Sequence, residues 1–441
     1  MAKPVHIIGG GLAGCEAAWQ VARAGGRAIL YEMRPVRTTP AHNTGELGEL
    51  VCSNSLKSEQ PNSAPWLLKE ELRRLGSLLI GEIAPRTRVP AGHALSVDRE
   101  LFAAEITRTL EAEPGIEIRR EEIVTLHPER ISIVASGPLT SDALAEEIAR
   151  VTGSGRLYFY DSISPIIEAE SIDMAVAFRA SRYGKSLDGT DDYLNCPFSK
   201  DEYEVFLDAL LAADSVPAHI EQDHTRYFEA CLPIEEIARR GRDTLRFGPM
   251  KPMGLIDPRT GRRPWAVVQL RQEDARAGSY NLVGFQNHMR FGDQARVLRM
   301  IPGLEHAEFL RFGQVHRNTY INAPALLAPT LQMRARPQIF FAGQISGVEG
   351  YVESIATGLI AGRAAAALGS GDAPKPFPRQ TALGSLCHYV SGADPLHYQP
   401  ANITFDLLPK LEDPPKDKKA RYAEVCRRAL AALDEYTCAH V

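Results

Sequence analysis

Hydrophobic and polar positions set out a strand–helix–strand pattern from the start of the chain. Residues 5–8, Val-His-Ile-Ile, form a short apolar run that ends in glycine. Residues 12–23 carry apolar side chains at helical spacing, and residues 28–31, Ala-Ile-Leu-Tyr, form a second apolar run. Short buried runs alternating with amphipathic stretches predict a parallel α/β sheet. Leu67, Leu68, Leu72, Leu75 and Leu79 then predict a helix over 65–80. Asp98 is placed to cap a helix over 99–111. Residues 116–133 read as strands leading into Val-Ala-Ser-Gly-Pro (134–138), where small side chains permit close approach of a ligand. Between 34 and 65 Thr, Ser, Asn, Gly and Pro dominate, which predicts an extended loop. From about 155 to 324 no single period holds and proline breaks are frequent. A buried run over 338–342 and a small-residue helix near 351–362 then resume the first pattern. The tail reads as a proline-rich linker and a final helix over 418–433.

Two glycine motifs give this pattern chemical content. The first is Gly9-Gly10-Gly11-Leu12-Ala13-Gly14, set between strand and helix, with Glu32 ending the next strand. In this context Gly9 permits a tight turn, Gly11 lets the backbone approach a pyrophosphate, and Gly14 lets the helix pack close to the strand. The helix N-terminus offers N–H groups to phosphates, and Glu32 offers a carboxylate to a ribose. The second motif runs from Gly343 and Gln344 to Gly350 and Tyr351 and opens the late helix. A second glycine turn so far downstream argues for FAD held by a discontinuous domain rather than NAD in a simple dehydrogenase. The expected fold class is α/β: a Rossmann-like FAD-binding domain of glutathione-reductase type, interrupted by a smaller α+β insertion domain. The boundaries read as 1–154 for the first part, 155–330 for the insertion, and 331–441 for the closing part and tail.

The 441 residues suffice for two cores. With 44% hydrophobic and 24% charged residues the composition is that of a globular protein, and no apolar run is long enough for a bilayer. The first strand starts almost at Met1, so no signal peptide is expected. A net charge of −5 argues against indiscriminate nucleic-acid binding but leaves room for local basic faces. Candidates are Arg239, Arg240 and Arg242; Arg259, Arg262 and Arg263; and Lys416 to Arg421.

Seven scattered cysteines, at 15, 52, 196, 231, 387, 426 and 438, form no C-x-x-C pair, so neither zinc nor a disulfide framework is expected. A reducing, cytoplasmic compartment fits. Cys52 stands apart because Ser53, Asn54 and Ser55 follow it in the loop that faces the cofactor. Cys231, in Phe-Glu-Ala-Cys-Leu-Pro (228–233), falls in the insertion. Lys251, in a Gly/Pro/Met-rich segment, and Arg271 are further candidates, and His316 to Tyr320 read as a cofactor-side loop.

Seven motifs taken in order are similar to one family. Leu50–Leu56, Tyr193–Pro197, Phe228–Glu236, Phe247–Leu255, Val267–Asp274, His316–Pro324 and Ala342–Tyr351 resemble the bacterial folate- and FAD-dependent tRNA (uracil-5)-methyltransferases, the TrmFO family. This family is itself related to the FAD proteins that modify the wobble uridine. The resemblance runs from the fingerprint to about Pro409; Gly10 replaces a commoner alanine, and the 186–190 stretch is longer. It implies methylation of uridine 54 in the tRNA T loop. The carbon would come from 5,10-methylenetetrahydrofolate, the electrons from NADH or NADPH through FAD. It further implies Cys231 as the nucleophile at uracil C6 and Cys52 as its acid/base partner, with the reverse assignment as the alternative. The expected partners are the tRNA T arm and folate, with no membrane and no obligate protein partner. A wobble-uridine enzyme and a small-molecule flavin oxidoreductase are the competing functions.

Overall fold

A computed structural model describes residues 2–39, 41–153, 157–162, 164–215, 232–313 and 315–439, without the side chains of 157–162 and 315–318. Five parallel strands lie in the order Ile116–Arg119, Ala28–Tyr31, Val5–Ile8, Ile131–Val134, Arg336–Phe341, and Gln332–Met333 adds an antiparallel edge. The chain runs outward from Val5–Ile8 on one side and returns to the other side of the same strand at Ile131. Strand order therefore reverses between Ile8 and Val134, where a doubly wound sheet opens a crevice for ligands.

Two helices cover this crevice from one side. Leu12–Arg23 follows the first strand, and Tyr351–Ser370 packs against it through small residues. A Cβ on Gly358 would lie 2.2 Å from the Ala13 carbonyl oxygen, and one on Gly362 2.6 Å from that of Ala17. The glycines thus set the distance between the two helices.

Asp98 caps Arg99–Glu111 as its sequence predicts, accepting from the Leu101 N–H. The helix expected over 65–80 is instead Ala64–Arg74, a left-handed turn at Gly76, and a π-helical turn over Leu79–Ile83. Glu16 causes the break: its buried carboxylate accepts from the Ser77 hydroxyl and from the N–H groups of Leu78 and Leu79. The last helix runs on to Cys438, past its expected end, and Tyr436 packs on Phe377 with ring centroids 4.8 Å apart.

A second sheet is antiparallel, in the order Phe178–Arg179, Tyr193–Phe198, Ala266–Gln272, Ser279–Leu282, Ile166–Glu168, Phe309–Arg311. The buried apolar residues form two clusters. One draws on residues between Val5 and Val151 and between Tyr320 and Leu433, the other on residues between Ile167 and Ala307. Residues 315–320 are a strand paired with Leu157–Ser162 and not the loop their polarity suggested.

Candidate functional site

The mouth of the crevice is built by glycines whose geometry the sequence anticipated. Gly9 sits at φ +110, and a Cβ there would lie 2.4 Å from the Ala135 carbonyl oxygen. A Cβ on Gly14 would lie 1.8 Å from the Gly9 carbonyl oxygen, so helix and strand meet backbone to backbone. A Cβ on Gly11 meets nothing, because Gly11 is the N-cap and faces the open cavity without a side-chain cap. The first-turn N–H groups of this helix are left to a ligand.

One cavity is lined by Gly9, Gly10, Gly11, Leu12, Ala13, Glu32, Gly343, Gln344 and Tyr351. Ala135 to Ser141, after the fourth parallel strand, form the opposite wall. The structure thus brings together nine of the eleven residues singled out for a cofactor. The other two act from behind: Gly14 through packing, and Gly350 as the N-cap of the late helix at φ +111.

Glu32 is more heavily engaged than its sequence position suggested. Its carboxylate accepts from the Gly10 N–H and from the backbone and guanidinium of Arg34. Burial alone would raise its pKa, but these bonds outweigh burial and hold it below the usual carboxylate range. Arg34 is itself only 2% exposed and also bonds Glu49 at 2.9 Å, tying the second strand to the following loop. Burial, with Arg34 beside it, presses His42 down to about 4, so this cavity-lining imidazole is neutral at physiological pH. Arg34 and His42 were missed because nothing in the local pattern separates them from loop polarity.

Cys52 is half-buried next to Val51, which lines the cavity. The Cys52 N–H donates to the Tyr351 hydroxyl at 2.7 Å, and the Ser53 N–H to the same oxygen at 3.3 Å. Two arginines lie within electrostatic reach of the thiol, Arg99 and Arg311. Arg99 holds the Leu50 carbonyl at 2.6 Å and pairs with Glu273 at 2.7 Å. Asn54 donates to the carbonyls of Val97 and Gln272. The loop is therefore pinned by the strand Ala94–Val97, by the second sheet and by the late helix.

Cys231 lies outside the described residues; the chain resumes at Leu232, and Ile234 N–H bonds the Gln286 carbonyl. The other cysteines behave as buried hydrophobes at 15, 196, 387 and 426, whereas Cys438 is exposed. Lys251 is exposed, and Arg271 sits opposite Tyr193 in the second sheet; neither lines the cavity. The Thr319 N–H bonds the Pro138 carbonyl, which places the end of that strand behind the cavity wall. Arg239 and Arg242 are absorbed by ion pairs with Glu236, Glu204 and Asp208. Among the described residues no acidic, histidine and cysteine cluster could hold a metal, and no helix is long and apolar enough to cross a membrane.

A family model described as "Glucose inhibited division protein A" matches residues 4–372. A protein of Solibacter usitatus named "Methylenetetrahydrofolate--tRNA-(uracil-5-)-methyltransferase TrmFO" is 73% identical, covering 99% of both chains. A protein of the same name from Koribacter versatilis is 63% identical over 98% of this chain and 97% of its own. The likeness thus continues beyond Pro409, where the motif resemblance stopped. In fold, the chain is similar to Aquifex aeolicus GidA, with a TM-score of 0.71 at 16% identity over 98% of this chain and 76% of that one.

Proposed function

The chain belongs to the TrmFO family of methylenetetrahydrofolate–tRNA-(uracil-5-)-methyltransferases, and from that premise we propose how its residues carry the reaction. The activity is methylation of C5 of a tRNA uracil, which we assign to uridine 54 of the T loop. FAD is the cofactor, 5,10-methylenetetrahydrofolate the carbon donor and NADH or NADPH the reductant, in the cytoplasm. The observation that carries this reading is the convergence on one cavity of two glycine turns and the Cys52 loop, with Tyr351 shared between them.

The residues fit FAD by the test of their own geometry. The open face of Gly11 and the uncapped helix start suit a pyrophosphate, and Glu32 stands where a ribose would lie. Gly343, Gln344 and the start of the late helix face the opposite part of the dinucleotide. We take residues 1–154 and 331–441 as the FAD-binding unit and 155–330 as its insertion. When bound, reduced FAD carries the one-carbon group and supplies the hydride.

The protein's part is acid–base and nucleophilic. Uracil C5 is a weak nucleophile; a thiolate adding to C6 loads electron density onto C5. After C5 has gained its carbon, a base must take the C5 proton so that the thiolate can leave. We assign addition to Cys231 and proton removal to Cys52, whose loop is held beside the cavity by Tyr351, Arg99 and Asn54. The uridine must leave its stack to reach the cavity.

The test is purified protein with undermodified tRNA, NADH and labelled methylenetetrahydrofolate, followed by mapping of the labelled nucleotide. Label at uridine 54 that Cys231→Ala abolishes is the expected result; full methylation by that variant removes the nucleophile assignment. A wobble-uridine product would favour the rival family. Identity favours the methyltransferase reading, since the Solibacter relative of that name is 73% identical over 99% of both chains.

A further inference from the structure

The insertion sheet carries a second cavity that the reaction leaves unused. It opens where strand Tyr193–Phe198 ends and strand Ala266–Gln272 begins, and its lining includes Lys200, Arg246, Lys251, Arg262, Arg263 and Trp265. Lys200, Lys251, Arg262 and Arg263 make no ion pair among the described residues, and all four are exposed. Arg259, by contrast, is held by the buried Asp257 carboxylate. That pairing fixes the turn that presents Arg262, whose carbonyl accepts from the Asp257 N–H. Glu202, which accepts from the Ser199 N–H, and Asp257 are outnumbered by six cations along the lining, so the groove carries an excess of positive charge on a chain whose net charge is −5. Such an arrangement repels itself and is stabilised by a polyanion.

Ring systems accompany the charges. Arg246 lies over Trp265, 3.5 Å from the ring centroid, and Lys200 approaches the same ring at 5.6 Å. Phe247, at 80% exposed, projects from the same rim. Cations interleaved with rings suit phosphates and unpaired bases together, and small anions make no use of the rings.

Position decides the occupant. Strand Ala266–Gln272 runs from this groove to Glu273, which pairs with Arg99 beside the Cys52 loop. Eight steps of about 3.3 Å each separate Trp265 from Glu273, about 26 Å in all. That is roughly eight base-pair steps of a nucleic-acid helix at about 3.4 Å each. A nucleotide in the flavin cavity cannot reach the groove, but the body of a tRNA can.

We propose that this groove docks the sugar–phosphate backbone of the tRNA at a distance from the reacting uridine. The proposal rests on the tRNA-methyltransferase reading above. It is tested on the full-length holoenzyme with Lys251→Gln, Arg262→Gln and Arg263→Gln combined. Phe247→Ala forms a second arm, and Lys3→Gln, Lys375→Gln and Lys410→Gln combined, three exposed lysines away from every candidate basic face, form a charge-matched control. Binding of undermodified tRNA is measured across a salt series. Flavin absorbance and NADH-dependent flavin reduction report folding and should match wild type. Because the groove variant lacks three cations that face phosphates, its slope of log affinity against log salt should fall by about 2–3. Phe247→Ala should weaken tRNA binding by roughly fivefold or more. The control should do neither. Unchanged tRNA affinity and slope in the groove variant overturn the proposal while leaving the methyltransferase reading intact. So does equal weakening by the control, which would mean net charge alone. A raised KM for folate polyglutamate with unchanged tRNA binding also overturns it, because the occupant is then the folate tail. Wild-type protein that methylates no tRNA would instead defeat the reading beneath it.

Discussion

Replacing Gly358 with alanine tests whether the spacing of two helices holds the cofactor cavity open at the right width. The added Cβ would lie 2.2 Å from the Ala13 carbonyl oxygen and 2.8 Å from its Cα, whereas ordinary contact begins at 3.4 Å. The neighbour is backbone, so no side chain can swing aside. The helix Tyr351–Ser370 must retreat by about 1 Å from Leu12–Arg23. Ala13 lines the cavity, and a Cβ on Gly343 would already be 2.9 Å from the Ala13 Cβ. Retreat of the helix therefore moves Tyr351, and with it the Cys52 N–H it accepts, away from the glycine turn. Alanine favours a helix over glycine by about 1 kcal/mol, and overpacking costs about 1–3 kcal/mol. Backbone contact puts this site at the upper end, for a net loss of about 2 kcal/mol.

Thermal unfolding by circular dichroism and FAD affinity by fluorescence quenching read the two consequences. Gly358→Ala should melt lower by a few degrees and bind FAD at least tenfold more weakly. Gly81→Ala supplies the contrast, because a Cβ there meets nothing within 4 Å. That variant should be unchanged or slightly more stable. If Gly358→Ala kept both melting temperature and FAD affinity, helix spacing would not control the cavity.

Gly11→Leu places its side chain in the cavity mouth and touches no protein atom at Cβ, so the apoprotein should melt as wild type does while the yellow flavin absorbance is lost. Tyr351→Phe keeps the ring but removes the acceptor of the Cys52 and Ser53 N–H groups; methylation kcat should fall about tenfold with FAD content kept, and an unchanged kcat would deny the hydroxyl its role. Burial pushes Glu71 up to about 8 where it accepts from the Ala382 and Leu383 N–H groups. The folded state then holds a proton that the unfolded chain releases above about 4.5. Its contribution is complete below that pH and is lost as pH rises to 8, by on the order of 5 kcal/mol. In urea unfolding at pH 5 and pH 8, Glu71→Gln should lose less stability over this interval than wild type; parallel losses would show that Glu71 is ionised throughout.

The strand–glycine–helix frame was legible because its causes are local. Gly14 answers to the Gly9 carbonyl in the same turn, and the Asp98 cap needs only the next three residues; the Gly9 approach to Ala135 joins two strands but follows the same glycine pattern. The break after Arg74 was not legible, since the Glu16 carboxylate that redirects the chain lies in another helix. Lys69 is a second such case. It is fully buried and donates to the Leu56 and Lys57 carbonyls, fixing the strand that follows the Cys52 loop. In sequence it was one polar position on a leucine-rich helix.

The same reasoning explains why Cys52 could be singled out but its setting could not. Ser53, Asn54 and Ser55 marked the loop as polar, yet what fixes it is distant in sequence: Tyr351, Arg99, Gln272 and Glu273. Gln272 and Glu273 belong to the second sheet and its margin, so Asn54 and Arg99 join the thiol loop to that sheet. The end of strand Ala266–Gln272 that touches this loop is opposite the end that carries the basic groove. If tRNA is held at the groove, that strand is the shortest rigid path from the bound backbone to Arg99 and the Cys52 loop. Its length then determines which nucleotide of the substrate reaches the flavin.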